Sequence, residues 1–174
     1  MSASIVTNAE SAVAPSGLTR ARFWPRLAGF VELTKPRIAV LELVVVFVAA
    51  MISTAGPPQG WTIICALAGT ALVAASASTW NQWRERATDA LMTRTAERPL
   101  PASTIHPWEA AAWGTILGIA GVAILAMFVN ATVALLGIGC WALYVLAYTP
   151  LKTRSPFNTV VGAVAGAIPA LMGA

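Results

Sequence analysis

Four long apolar runs, at residues 38–55, 61–80, 110–129 and 132–149, decide what this chain can become, and a fifth begins at residue 159 and runs to Ala174. Crossing about 30 Å of hydrocarbon at about 1.5 Å per residue takes about 20 helical residues. Inside lipid every backbone N–H and C=O must find a partner within the protein, which leaves helices or closed barrels. Barrel strands alternate polar and apolar residues over short segments, and these runs do not alternate. The expected fold is all-α, a polytopic transmembrane helix bundle. Composition agrees, because 57% of the residues are hydrophobic and only 10% are charged, against about a quarter charged in a soluble domain.

The cations sort to one side of that bundle. Arg20, Arg22, Arg26, Lys35 and Arg37 precede the first run, Arg84, Arg86, Arg94 and Arg98 follow the second, and Lys152 and Arg154 follow the fourth. The connections at 56–60 and 130–131 carry none of the eleven. By the positive-inside rule the N-terminus and the 81–109 loop are expected in the cytoplasm, with the chain crossing a cell inner (plasma) membrane several times. The net charge of +4 is then a topology signal, and no nucleic-acid partner is implied. Residues 1–25, Ser- and Ala-rich without hydrophobic periodicity, are expected to be a disordered tail. Trp24, Trp61, Trp80, Trp83 and Trp108 fall at the ends of runs, where an aromatic belt sits. Gly114 with Gly118, and Gly162 with Gly166, have the spacing of close helix contacts. Cys65 and Cys140 lie apart inside apolar runs, which gives neither a disulfide framework nor a zinc motif.

A bundle held together by apolar contact does not need the polar residues that follow the second run. If that helix continues past the interface, Asn81, Glu85 and Asp89 share one face, four residues apart. Two carboxylates and an amide oxygen suit magnesium, which is usually held by a few carboxylates together with substrate phosphates and water. Arg94 and Arg98 repeat the step just beyond, and guanidinium forks match phosphate oxygens. The same spacing also serves a solvated connector with helical salt bridges, and spacing alone does not separate the two readings. Tyr148 and Lys152 bracket Pro150 at the same end, and Lys35 and Arg37 flank Pro36 there. All four suit interface anchors as well as ligands of one anion. Glu42 lies about one turn inside the first run, where an ionisable group is costly. His106, before Pro107 and Trp108, reads as an interfacial histidine.

The run from Asn81 through Glu85, Asp89, Met92, Arg94, Thr95 and Arg98 to Pro99 and Leu100 resembles the first acidic motif of the UbiA-type intramembrane prenyltransferases. Thr34 to Arg37 resembles their opening signature, and Tyr148 to Lys152 their YxxxK element. The Asn81–Gln82 pair, Met92, and the stretch from Asn158 through Gly162 and Gly166 to Pro169 resemble the haem-farnesylating branch, the protohaem IX farnesyltransferases. The resemblance covers the chain from about Leu33 onward. It implies an active site at the cytoplasmic end, where farnesyl diphosphate ionises and a vinyl group of protohaem IX captures the farnesyl cation. Water then completes the hydroxyethylfarnesyl group of haem O. Carried over residue by residue, the resemblance implies Mg²⁺ on Asn81, Glu85 and Asp89. It gives diphosphate contacts to Arg94, Arg98, Lys152 and Arg37, with Tyr148 orienting the group. Glu85 departs from the usual aspartate of the superfamily, which moves the carboxylate by a methylene. A haem A synthase or an oxidase-assembly factor is the implied neighbour, in the lipid bilayer.

Two other readings compete. A related prenyltransferase would act on a quinone precursor or a chlorophyll-like ring, and a small ion-coupled transporter or assembly subunit would use Glu42 and Asp89 for ions. Transporters place charged sites near the midplane, often in inverted repeats, whereas this polar cluster lies at one interface. The run from 159 to 174 covers about 24 Å at about 1.5 Å per residue, less than a full span. The family also carries a second acidic cluster, absent from these residues. The chain is therefore expected to be the N-terminal part of a prenyltransferase domain, over 26–174, with little activity alone.

Overall fold

The computed structural model describes residues 17–53, 59–152 and 154–174, with side chains from Trp24 onward. Its elements are helices: α1 (Gly17–Leu33), α2 (Pro36–Ser53), α3 (Gly60–Asp89), α4 (Pro107–Phe128), α5 (Ala131–Ala142), a π-helical turn (Leu143–Tyr148), α6 (Thr149–Leu151) and α7 (Asn158–Gly173). Among the described residues four helical stretches are long and apolar enough to cross a membrane, namely Pro36–Ser53, Gly60–Asp89, Pro107–Phe128 and Ala131–Leu151, and α7 is a shorter apolar helix. These match the runs read from the sequence.

The expected tail over residues 1–25 lies outside the described residues as far as residue 16. From Gly17 the chain is helical, so residues 17–25 depart from that expectation. The reason lies at the far end of α1. Leu33 is fully buried with Leu100, Ile105 and Ala110, and Arg26 pairs with Glu109 on α4. Contacts made after the apolar runs have assembled hold a helix that periodicity does not announce.

Helix ends follow from local chemistry. Pro36 opens α2 and Pro107 opens α4, at positions where a missing N–H costs nothing. His106 and Glu109 form a reciprocal cap on α4, the His106 N–H donating to Glu109 Oε2 over 2.9 Å. His106 is thus a capping residue. Asn130 caps α5 by accepting from the Val133 N–H at 2.8 Å.

Helices α3 and α4 pack most intimately, and glycine sets the distance. A Cβ on Gly121 would stand 2.8 Å from the Gly69 carbonyl oxygen, and one on Gly69 would stand 2.7 Å from Leu125 side-chain carbons. Backbones approach this closely only with hydrogen as the side chain. Gly114 and Gly118 continue the seam against Trp80, Thr79 and Ser76, whereas Gly166 has open space beside it. The core cluster of Val73, Leu125, Val133, Ala134, Ile168 and Met172 lies where α3, α4, α5 and α7 meet. Val44, Phe47, Ile119 and Ile138 are exposed, as residues facing lipid would be. Between α2, α3, α5 and α7 the bundle encloses a chamber of about 400 Å³, lined by Val73, Gly137, Ala165, Pro169 and Met172 among others, with Glu42 and Tyr148 in its wall.

Candidate active site

Helix α3 runs unbroken through thirty residues to Asp89, so its last turns project past the apolar part as a rigid arm. Asn81, Glu85 and Asp89 fall on the arm's inner face. Asn81 and Asp89 are buried, at 2% and 5% exposure. A buried polar side chain must be partnered, and here each is. Asn81 Nδ2 donates to Glu85 Oε2 over 3.0 Å, and Asn81 Oδ1 accepts from Thr149 Oγ1 over 2.9 Å. Lys152 Nζ donates to Glu85 Oε1 at 3.1 Å, and Arg98 Nη1 to Asp89 Oδ2 at 2.7 Å. Thr95 Oγ1 donates to the Asp89 carbonyl oxygen at 2.8 Å and pins the loop that carries Arg94 and Arg98.

The opposite wall is built by the π-helical turn. Pro150 has no N–H, and its ring would strike a carbonyl one α-turn back. The wider turn over Leu143–Tyr148 precedes it, the Thr149 N–H reaches the Tyr144 carbonyl, and the one hydroxyl proton of Thr149 is shared between that carbonyl at 2.8 Å and Asn81 Oδ1. Thr149 is thereby turned toward Asn81 and Lys152 toward Glu85. Wide turns of this kind are often found at functional sites.

Between the walls lies a polar cleft of about 230 Å³, lined by Glu85, Asp89, Arg94, Arg98 and Lys152, with Met92 and Thr149 beside them. Five sequence-predicted site residues therefore share one cleft, and Asn81 braces its base. Two do not join them. Tyr148 lines the chamber, stacked on Tyr144 with ring centroids 5.3 Å apart and packed against Gly162. Arg37 is exposed on the first turn of α2. Arg86 lies over the Trp83 ring at 4.5 Å and donates to the Trp83 carbonyl oxygen.

Two positions that shape the site are not among the candidates read from the sequence. Thr149 is one. Gln82 is another, donating through Nε2 to the Leu33 carbonyl oxygen at 3.0 Å. Lys35, read from the sequence as an interface anchor or an anion ligand, has a backbone φ of 48° in the left-handed region. The signal for Lys35 was Pro36, because the residue before proline is pushed out of the right-handed helical region. Burial holds the Lys35 ammonium below the ordinary lysine value, and the Arg98 charge pushes the same way. Glu85, Lys152 and Asp89 act on it too, the carboxylates in the opposite sense, which puts Lys35 within the field of the cleft.

Among the described residues no group of three or more His, Cys, Asp or Glu side chains is gathered to hold a metal. The donors that face the cleft are two carboxylates one turn apart on a rigid helix. Magnesium takes one or two carboxylates and completes its shell with phosphate oxygens and water, so this donor set fits it in company with an anion. The cations fit the anion. A polar, cation-rimmed cleft can take a charged head, and a separate apolar chamber in the same bundle can take an apolar tail.

Comparison with known proteins points the same way. The model of the UbiA prenyltransferase family matches residues 43–174. The chain is 43% identical over 151 residues to the protoheme IX farnesyltransferase of Kineococcus radiotolerans, covering 86% of this chain and 44% of that one. It is 43% identical over 162 residues to that of Gloeobacter violaceus, covering 90% and 53%. It is 44% identical over 158 residues to the mitochondrial protoheme IX farnesyltransferase of Yarrowia lipolytica, covering 89% and 32%. The chain thus spans about half the length of the bacterial relatives and a third of the fungal one. Helices of the expected length, an acidic arm facing its cations and a family match over most of the sequence agree, and the chain belongs to the UbiA prenyltransferase family.

Proposed function

We propose that this protein forms part of a haem O synthase, which transfers the farnesyl group of farnesyl diphosphate to a vinyl group of protohaem IX. The observation that carries the reading is the cleft itself. Glu85 and Asp89 face Lys152 and Arg98, an arrangement suited to a diphosphate, and the same bundle holds an apolar chamber suited to a prenyl tail. The name shared by the relatives supports the acceptor, which is protohaem IX.

Glu85 and Asp89 would hold Mg²⁺, with Asn81 bracing Glu85. Bound there, the ion supplies positive charge that stabilises the departing diphosphate. Arg94, Arg98 and Lys152 bind the diphosphate oxygens and disperse the charge that develops as the C1–O bond breaks. The electron pair of that bond leaves on the diphosphate. The vinyl π electrons then form the new bond to C1, and water adds to the resulting cation with loss of a proton. Chamber walls of Val73, Gly137, Ala165 and Met172 shelter the farnesyl tail and keep competing water from the cation.

The cation-bearing end of the bundle is assigned to the cytoplasm of a plasma membrane, on the distribution of Lys and Arg. A haem A synthase or an oxidase-assembly factor would receive the product. Pigment analysis of cells expressing the gene tests the activity. Accumulated haem O, absent when Asp89 is replaced by Asn, is the expected result, and unchanged protohaem in both would overturn the reading.

A further inference from the structure

A chamber that shelters only a hydrocarbon tail has no use for a carboxylate, yet Glu42 lines this one. The residue stands in the second turn of α2, inside a span, where an ionisable group is costly and marks function by default. Among the described residues the ion pairs join Arg26 to Glu109, Arg98 to Asp89 and Lys152 to Glu85, and none includes Glu42. No Lys, Arg or His lines the chamber with it. Aromatic rings do. Tyr144 and Tyr148 lie stacked in the wall, their centroids 5.3 Å apart and their planes 18° from parallel. Gly162 makes room for the stack, since a Cβ there would stand 2.9 Å from the Tyr148 ring. A tyrosine ring attracts a cation lying within about 6 Å of its centroid. A carboxylate and two tyrosines, without a cation of the protein among them, favour a positively charged guest.

The cleft has the opposite preference, because Arg84, Arg94, Arg98 and Lys152 line it against Glu85 and Asp89. One peptide bond separates the two linings. Tyr148 belongs to the chamber and Thr149 to the cleft, with Cα atoms about 3.8 Å apart. Ionisation of a prenyl diphosphate makes one charge of each sign. The C1–O electron pair leaves with the diphosphate, and the positive charge is shared between C1 and C3 of the farnesyl chain. We infer that Glu42, together with Tyr144 and Tyr148, stabilises the farnesyl cation, so that the bundle holds the anion in the cleft and the cation in the chamber. The inference deepens the proposed function and rests on its reading of the chamber as the seat of the prenyl tail. No proton moves in this step. The carboxylate acts by charge alone, in place before the bond breaks.

The test compares two farnesyl compounds of similar shape, farnesol and farnesyl dimethylammonium, binding to the protein solubilised in a neutral detergent. The ammonium stands where the allylic charge develops. Without pyrophosphate, wild type should bind the ammonium at least about tenfold tighter than farnesol. The cations of the cleft oppose this preference, so the chamber must supply it. Glu42→Gln keeps the shape and removes the charge. It should erase most of the preference, leave farnesol and pyrophosphate binding within about twofold of wild type, and lower kcat for farnesyl transfer about a hundredfold with KM little changed. Tyr144→Leu should weaken ammonium binding several-fold, whereas Tyr144→Phe keeps the ring and should retain it. Equal affinity of wild type for the two compounds would overturn the inference, and that measurement needs no variant to fold. A Glu42→Gln protein with the preference intact, or one that loses farnesol to the same degree, would overturn it too. These outcomes leave the diphosphate reading standing. A wild-type protein that binds neither pyrophosphate nor farnesol would overturn both.

Discussion

Thr149 Oγ1 donates to Asn81 Oδ1 across 2.9 Å, between residues sixty-eight apart in sequence. This bond joins the two walls of the cleft. It fixes the Asn81 amide so that its Nδ2 points at Glu85, and it depends on the π-helical turn that aims Thr149 inward. Thr149→Val keeps the shape and removes the donor. It should cost about 1 kcal/mol of stability and lower farnesyl transfer several-fold, while Thr149→Ser should retain both. Thermal unfolding in detergent and turnover in membranes check the pair of variants.

Asp89→Asn should abolish most farnesyl transfer and leave the protein inserted. The carboxylate faces the cleft and not the packed core. Its pairing with Arg98 is largely buried, the two side chains being 8% and 27% exposed, so the loss should also cost about 2 kcal/mol. Glu85 pairs with a Lys152 that is half exposed, and Lys152→Gln should cost less than about 1 kcal/mol of stability while still weakening diphosphate binding. Membrane content, unfolding temperature and haem O yield separate these effects.

Diphosphate binding should carry an alkaline limb. Burial first, and then Arg98, hold the Lys35 ammonium below its ordinary value, which is about 10.4. An anion favours the charged form, so affinity is full below the lowered value and falls as pH rises through it. The limb should therefore begin at lower pH than an ordinary lysine would give. Lys35→Arg stays protonated throughout this range and should remove the limb. Pyrophosphate titrations across alkaline pH would contradict this if wild type and Lys35→Arg gave the same profile.

Gly121→Ala should separate α3 from α4. The added carbon would meet the Gly69 carbonyl oxygen at 2.8 Å and the Val73 backbone nitrogen at 2.9 Å. Backbone atoms do not rotate away, so a cost of about 1–3 kcal/mol is expected. Gly139→Ala, with nothing within 4 Å of the new carbon, should be neutral or stabilising by up to about 1 kcal/mol. Unfolding midpoints of the two proteins compare them directly.

The runs, the α3 arm and its three polar residues were legible because they depend only on local periods. Apolar length announces a span, and a four-residue step along a continuous helix puts Asn81, Glu85 and Asp89 on one face. The opposite wall was half legible. Lys152 stands where the spacing after Pro150 puts it, but the π-helical turn sends Thr149 to Asn81 and leaves Tyr148 in the chamber, and no period encodes that extra residue in the turn. The corner before α2 was least legible, since the Leu33 carbonyl is held by Gln82 across forty-nine residues. Helix α1 and the Gly69–Gly121 approach were hidden for the same reason, being fixed by partners distant in sequence.

A cysteine placed at Ala102, in the loop between α3 and α4, should report the membrane side of the cleft. With the eleven cations retained in the cytoplasm, a membrane-impermeant maleimide should label it only after the inner membrane is opened. Labelling in intact spheroplasts would place the cleft outside.

The central claim is that this cleft presents a farnesyl diphosphate to protohaem IX. Membranes from cells expressing the gene, given magnesium and farnesyl diphosphate together with protohaem and 4-hydroxybenzoate in competition, test it most directly. Mass analysis should find a hydroxyethylfarnesyl haem, absent with Asp89→Asn, and no prenylated benzoate. Farnesylated 4-hydroxybenzoate with unmodified protohaem would contradict the account.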